Sequence, residues 1–208
     1  MRVILAEKPS VAQSIAAVLG ADQKKNGYLQ GENDIVSWCI GHLIELAPPE
    51  IYDARYAKWR REDLPIVPSA WESVVSDGTK KQFSVLKDLL NRTDVDEVVC
   101  ATDAGREGEL IFRMVYEKTG CTKPVKRLWI SSLEESAIRD GFRSLKPGTA
   151  YDALYRAALC RAQADWLVGI NGTRLYSRLY GTKLNVGRVM TPTLAMVAQR
   201  EKEIAAFQ

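Results

Sequence analysis

The stretch EVVCATDAGREGELIF, residues 97–112, closes an apolar run on Asp103 and then places Glu107 and Glu109 four and six residues further on. Near the start of the chain, RVILAE (2–7) closes another apolar run on Glu7, with Lys8 beside it. Acids at the ends of apolar runs suit chemistry on phosphates. Carboxylates gathered at one point repel one another unless a cation sits among them. Magnesium is the cation such a set fits, because it takes oxygen ligands, keeps several waters and uses one or two carboxylates together with substrate phosphates. Lys8 adds a compact positive charge of the kind that meets a phosphate oxygen. The same residues also have a plainer reading: Asp103 caps a helix, Glu107 and Glu109 sit at the positive end of its dipole, and Glu7 faces solvent.

The elements around these acids decide whether they can meet. RVILAE reads as a buried strand, and PSVAQSIAAVLG after it as a helix with Pro9 at its start and Gly20 just past its end. Further strands are expected over IVSWCI (35–40), WESVVS (71–76), residues 97–102 and VKRLWI (125–130). Helices are expected over residues 79–92, where Phe83, Leu86, Leu89 and Leu90 recur at helical spacing, over 106–118, and in SSLEESAIRDGF, where Ser132 and Glu135 are spaced as a capping box. Residues 41–71 are rich in proline and aromatics and read as an irregular excursion. Strands alternating with helices predict an α/β fold: a mostly parallel, Rossmann-like sheet covered on both faces. In such a sheet the carboxyl ends of the strands line the ligand crevice. Glu7 and Asp103 both stand at such ends, and Glu107, one helical turn beyond Asp103, can point back to the same place.

Lys146-Pro147-Gly148 punctuates the chain, and the texture after it is helical, with Thr191 expected as an N-cap and Pro192 at the first position of the last helix. The predicted organisation is a domain over 1–148 followed by a helical segment over 149–208. No apolar run approaches the about 18 residues of a membrane span, and Glu7 and Lys8 arrive too early for a secretory leader, so a soluble, cytoplasmic protein is expected. Cysteines at 39, 100, 121 and 160, with His42 the one histidine, have the spacing of neither a zinc site nor a disulfide framework. Net charge is only +3, but Tyr151–Arg188 carries six basic residues against two acids. Such a segment fits phosphate handling and an ordinary solvated surface equally.

AEKPSVAQSIA and ATDAGREGELI closely resemble the two signatures of the Toprim domain of type IA DNA topoisomerases, and the topoisomerase III branch matches best. GHLIELAPPEIYD, RLWISSLEESAI, ADWLVGINGTR and GRVMTPTLAMV follow in the order of that branch, so the resemblance covers almost the whole chain. It implies a Toprim α/β domain followed by the start of a helical DNA-binding domain. The implied reaction is Mg2+-dependent breakage of one DNA strand by a tyrosine, passage of another strand and rejoining. By the matching positions, Glu7 is an acid at the scissile phosphate with Lys8 its electrostatic partner. Glu7, Asp103 and Glu107 form the metal set, and Arg161, Asp165 and Arg188 contact or shape the path of single-stranded DNA. A monomer is expected.

Two positions depart from the family pattern. Gly105 stands where the middle acid of D-x-D-x-E is usual, and Met190 where a glutamine is common. The family's nucleophilic tyrosine lies in a motif not found among these residues, so the chain reads as part of a longer enzyme, on its own without the means to form a phosphotyrosine bond. Two other readings stay open: a stand-alone Toprim nuclease or primase-like phosphotransfer protein, and a binding module in which the acids only cap helices. His42 reads as a packing residue that the resemblance raises to a contact near the acids or to a DNA phosphate. The tryptophans read mainly as core, Trp59 beside basic residues being open to base stacking.

Overall fold

The computed structural model of the chain describes residues 1–207. Its first apolar run forms β1 (Arg2–Ala6), and Val3, Ile4, Leu5 and Ala6 are all fully buried. A strand apolar on both faces needs cover on both, which places it at the centre of a parallel sheet. α1 (Pro9–Leu19) follows with Pro9 in its first turn, and Gly20 closes it at φ 71°, a left-handed conformation that glycine adopts without a Cβ penalty. A hairpin of β2 (Gln23–Lys25) and β3 (Tyr28–Gln30) leads into β4 (Asp34–Trp38). The chain continues through β5 (Ile44–Leu46), α2 (Pro49–Tyr52), β6 (Ser73–Val75), α3 (Lys80–Leu90), β7 (Glu97–Ala101) and α4 (Arg106–Thr119). It ends with β8 (Val125–Arg127), α5 (Glu135–Arg143), β9 (Lys146–Pro147), α6 (Asp152–Tyr180) and α7 (Met190–Ala205).

The chain forms two compact units, one of Met1–Glu45 with Ser73–Leu159, the other of Leu46–Glu72 with Cys160–Gln208. The first holds a seven-stranded sheet in the order β2-β3-β4-β1-β7-β8-β9. Its middle, β4-β1-β7-β8, is parallel, and the strands outside it run antiparallel. The α/β expectation is therefore met. α1 packs with α5, and α3 with α4. The core under α1 and α5 joins Ile4, Val36 and Val99 from the strands with Ile15 and Ile138 from the helices. Burying each such aliphatic side chain contributes about 1.5–3 kcal/mol. A bidentate pair from Arg2 to Asp34, 2.7 and 2.9 Å, ties the amino ends of β1 and β4.

The second unit is built on the later part of α6, against which the 46–72 excursion is anchored by hydrogen bonds. Asn171 receives the Ile66 amide at 2.6 Å and donates to the Ile66 carbonyl at 2.9 Å. The Trp166 indole donates to Ala47 O, and Tyr52 and Trp71 both meet the Trp166 ring edge-on at 5.9 and 5.4 Å. The excursion is thus irregular in backbone yet fixed in place.

Several local expectations are corrected. The strand expected over 71–76 shortens to β6 and pairs with β5 in a separate two-stranded sheet, not in the main one. β2 and β3 escape the sequence pattern because three-residue, largely polar strands carry too little alternation to register. The capping box does not form: Ser132 accepts the Glu134 amide, and Glu134 is the N-cap of α5. Thr191 is not the N-cap of α7 either, since that helix already begins at Met190 and Thr191 accepts the Gly187 amide. Trp129 is 43% exposed instead of core.

Candidate functional site

The register of the parallel strands brings the acids together. Ala6 on β1 lies opposite Ala101 on β7, so Glu7 and Asp103 leave adjacent strands within two residues of the same level. The strand order reverses at β1, with β4 on one side and β7 on the other, and this switch point is where an open sheet leaves a crevice. Glu7 Oε2 accepts the Asp103 amide at 3.2 Å, bridging the two strand ends directly. Lys8, the N-cap residue of α1, brings Nζ to 3.7 Å from Asp103 Oδ2. A crevice of about 390 Å3 opens beside this contact, lined by Lys8, Asp103, Ala104, Ile130, Ser131 and Ser132.

Glu107, in the first turn of α4, makes a 2.5 Å contact with His42 Nε2. The capping alternative fails for Asp103: the N-cap of α4 is Gly105, without a side-chain cap bond, and the Asp103 carboxylate is on Lys8. Gly105 has φ 178°, an extended backbone any residue adopts, and a Cβ there would meet nothing within 4 Å. No turn geometry requires this glycine. Its effect on the crevice is the absence of a side chain.

The sequence named the acids but not what holds them. Glu109 and Arg127, the last residue of β8, are each 1% exposed. Arg127 Nη1 donates to the carbonyls of Cys100, Thr102 and Leu128, and Nη2 to the carbonyl of Asp103 at 2.7 Å. Its Nε lies 3.1 Å from Glu109 Oε2, too poorly aligned to count as a hydrogen bond. Glu109 also takes Arg113 Nε at 2.9 Å, and Arg113 reaches on to Asp152 at 2.8 Å. The only sequence signal was an arginine and a glutamate in otherwise apolar element faces. Gly108 lets α4 approach closely: a Cβ there would fall 2.2 Å from the Asp103 carbonyl oxygen. Thr102 Oγ1 donates to Gly108 O at 2.7 Å across the same contact. The Cys39 and Cys100 thiols, both buried, have no part in this chemistry; burial pushes Cys100 up to about 11 and raises Cys39 as well.

In the second unit, Arg161 and Asp165 are one turn apart on α6, and Arg188 forks onto Asp165 at 2.7 and 3.2 Å. The hydrogen bond from Arg188 holds the Asp165 carboxyl below its usual range. Trp59 faces the Arg174 guanidinium, whose carbon lies 5.4 Å from the ring centre.

As the side chains stand, no three His, Cys, Asp or Glu residues among those described are grouped closely enough to grip a metal ion. Each acid instead has a local partner: the Asp103 amide for Glu7, Lys8 for Asp103, His42 for Glu107. The donor set still fits a hard divalent cation in kind, because its donors are carboxylate oxygens. Asp103 and Glu107, 57% and 70% exposed, are also free to turn.

An acid-lined switch point between β1 and β7, with a lysine at the start of the first helix, defines a class of α/β domain, and comparison with known proteins gives the class a name. A family model of the Toprim domain matches residues 2–133, and the chain belongs to that family. A second model, described as DNA topoisomerase, matches residues 149–208. The chain is 53% identical over 206 residues to DNA topoisomerase 3 of Bacillus thuringiensis (strain Al Hakam), covering 99% of this chain and 28% of that protein. DNA topoisomerase 3 of Shouchella clausii is 55% identical over the same span, and that of Bacillus subtilis 52% over 205 residues. Among solved structures, full-length topoisomerase I of Thermotoga maritima aligns with 99% of this chain at 26% identity and a TM-score of 0.67, the match spanning 31% of that protein. The chain thus spans just over a quarter of the length of these curated relatives. Among the described residues no helix is long and apolar enough to cross a membrane.

Proposed function

We propose that this chain supplies the acidic Toprim site and part of the single-stranded DNA path of a type IA DNA topoisomerase of the topoisomerase III kind. That enzyme breaks one strand, passes another through the gap and rejoins the break. The observation that carries the reading is the bridge between β1 and β7, where Glu7 grips the Asp103 amide and Lys8 faces the Asp103 carboxylate. It puts an acid and a cation at one mouth, as handling a scissile phosphodiester requires.

Glu7, Asp103 and Glu107 would hold Mg2+, with Lys8 beside them on a phosphate oxygen. When bound, the ion neutralises phosphate charge and orients the phosphodiester. Glu7, already accepting a proton donor at Oε2, is placed to hold or pass a proton at the reacting oxygens. Lys8, 3.7 Å from the Asp103 carboxylate and half exposed, would be free to meet a phosphate oxygen. Gly105 leaves the site with one carboxylate fewer than the family pattern, so more of the ion's oxygens would be water. Arg161 and Arg188 carry the positive charge for the DNA backbone, and Asp165 keeps Arg188 oriented between encounters. The nucleophilic tyrosine would come from outside these residues; Tyr176 and Tyr180 stack on each other at 6.4 Å along α6. The domain is read as residues 1–148, the helical DNA-binding segment as 149–208, and the working molecule as a cytoplasmic monomer.

The test uses a fluorescent single-stranded oligonucleotide and the 208-residue chain. Binding should weaken steeply with salt, by a log–log slope of about −0.7 for each phosphate neutralised. Incubation with Mg2+ should trap no covalent protein–DNA adduct. A tyrosine-linked adduct from this chain would refute the missing nucleophile. Cutting of the strand that is lost in Glu7→Gln would move the assignment to a Toprim nuclease.

A further inference from the structure

We propose that Arg127 is the positioning residue of the acid crevice: its buried guanidinium locks the Asp103 turn to the first turn of α4, and so sets where Asp103 and Glu107 stand without touching metal or DNA. The inference rests on the reading of that crevice as the Mg2+ and phosphate site. It starts from where the guanidinium spends its donors. β7 pairs with β1 only as far as Ala101 and with β8 only as far as Cys100, so carbonyls beyond that point lose their ladder partners. Arg127 serves that stretch, taking Thr102 O and Asp103 O, both at 2.7 Å; it also reaches Leu128 O at 2.9 Å and, at 3.1 Å, Cys100 O, which already accepts the Leu128 amide. It binds Asp103 through the carbonyl, leaving the carboxylate free to face the crevice.

The other side of the guanidinium meets α4. Glu109 Oε2, 3.1 Å from Nε, balances the buried charge, and Glu109 directly follows Gly108 of the Asp103–Gly108 contact and lies two residues past Glu107. Arg113 and Asp152 tie Glu109 down in turn. Trp129 covers the guanidinium with its ring centre 5.0 Å from the central carbon, and Tyr151 stacks on Trp129 at 4.9 Å and 18°. This explains why Trp129 stays partly exposed instead of entering the core. A lysine cannot replace the arrangement, since three donors on a point charge do not span four carbonyls and a carboxylate. A residue that served only the core would not direct its hydrogen bonds to the turn that carries the acids.

The experiment compares Arg127→Lys and the double variant Glu109→Met/Arg127→Met with the unaltered 208-residue chain. The double variant fills the space of a buried ion pair with apolar groups, a replacement that folds commonly tolerate. The readouts are calorimetric Mg2+ binding and amide hydrogen exchange at residues 102–105, with exchange in β1 as the internal reference. The expected result, in whichever variant keeps the native circular dichroism, is about tenfold weaker Mg2+ binding and faster exchange confined to 102–105. Unchanged exchange and affinity in a folded variant overturn the proposal, and so does failure of both variants to fold, which would make Arg127 a residue of the core alone. If the unaltered chain takes up no Mg2+, the metal reading fails by itself. Exchange at 102–105 then decides Arg127: faster exchange supports its hold on the turn, and unchanged exchange refutes it.

Discussion

Replacing Gly108 with alanine tests how tightly the site is built. The added Cβ would lie 2.2 Å from Asp103 O, 2.9 Å from Asp103 N and 3.0 Å from Asp103 C. Ordinary contact begins about 1 Å further out. The obstructing atoms are backbone, and that backbone is held from two sides: Glu7 accepts the Asp103 amide and Arg127 donates to its carbonyl. Relief therefore requires either lifting the start of α4 or giving up the charged hydrogen bond from Arg127. Overpacking costs about 1–3 kcal/mol, and losing a hydrogen bond to a charged group about 1.5–3 kcal/mol. Alanine returns at most about 1 kcal/mol in helix propensity over glycine. By either route the net expectation is a loss of about 1–2 kcal/mol. In urea, at a slope of about 2 kcal/mol per molar, the midpoint should fall by about 0.5–1 M. Gly105→Ala is the matched control, since its Cβ would meet nothing and its backbone is already extended. Its stability should change by less than about 1 kcal/mol. Both are read by circular dichroism at equilibrium in urea. If the two variants share the wild-type midpoint, α4 does not approach the Asp103 turn this closely.

Gly105→Asp places a carboxylate into open space beside Asp103 and should tighten Mg2+ binding by roughly tenfold, since ligand charge sets affinity at such sites; calorimetry giving equal or weaker binding would count against the metal assignment. Arg188→Ala should lower the salt slope of single-stranded DNA binding by about 0.7, and an unchanged slope would remove Arg188 from the DNA path. Because the Asp165 carboxyl is held down by Arg188, the pair's contribution is complete above the ordinary value of 3.8 and is lost as pH falls through the depressed one. Carboxyl-resolved titration should show Asp165 moving up toward 3.8 in Arg188→Ala, and no movement would separate the two groups. An alkylating reagent at neutral pH should label exposed Cys160 and spare Cys100, whose thiol is pushed up to about 11 by burial. Equal labelling of the two would contradict the packing of β7.

The elements that bear the site were legible because each is specified locally. β1 and β7 are uninterrupted apolar runs, α1 has its proline and its closing glycine, and the acids stand where those runs stop. Periodicity and caps act over a few residues, so they are written in order along the chain. By the same token, three-residue strands such as β2 and β3 left no trace, and β6 was assigned to the wrong sheet, because pairing partners are not a local property.

Tertiary structure alone decided what surrounds the acids. That Ala6 stands level with Ala101 is a matter of register between strands 95 residues apart, and it is this register that sets Glu7 on the Asp103 amide. The same long-range packing gives His42 to Glu107 and fixes the 46–72 excursion to Asn171 and Trp166. It also turns Arg127 inward, which VKRLWI signals only as an arginine on an otherwise apolar strand face. A buried arginine is stable only where its charge and donors are met, and those partners come from three separate stretches of the chain, 100–103, Glu109 and Leu128. The sequence determined which charged groups stand at the strand ends; folding determined which neighbours neutralise, hold and aim them, because burial and register are sums over contacts distant in sequence.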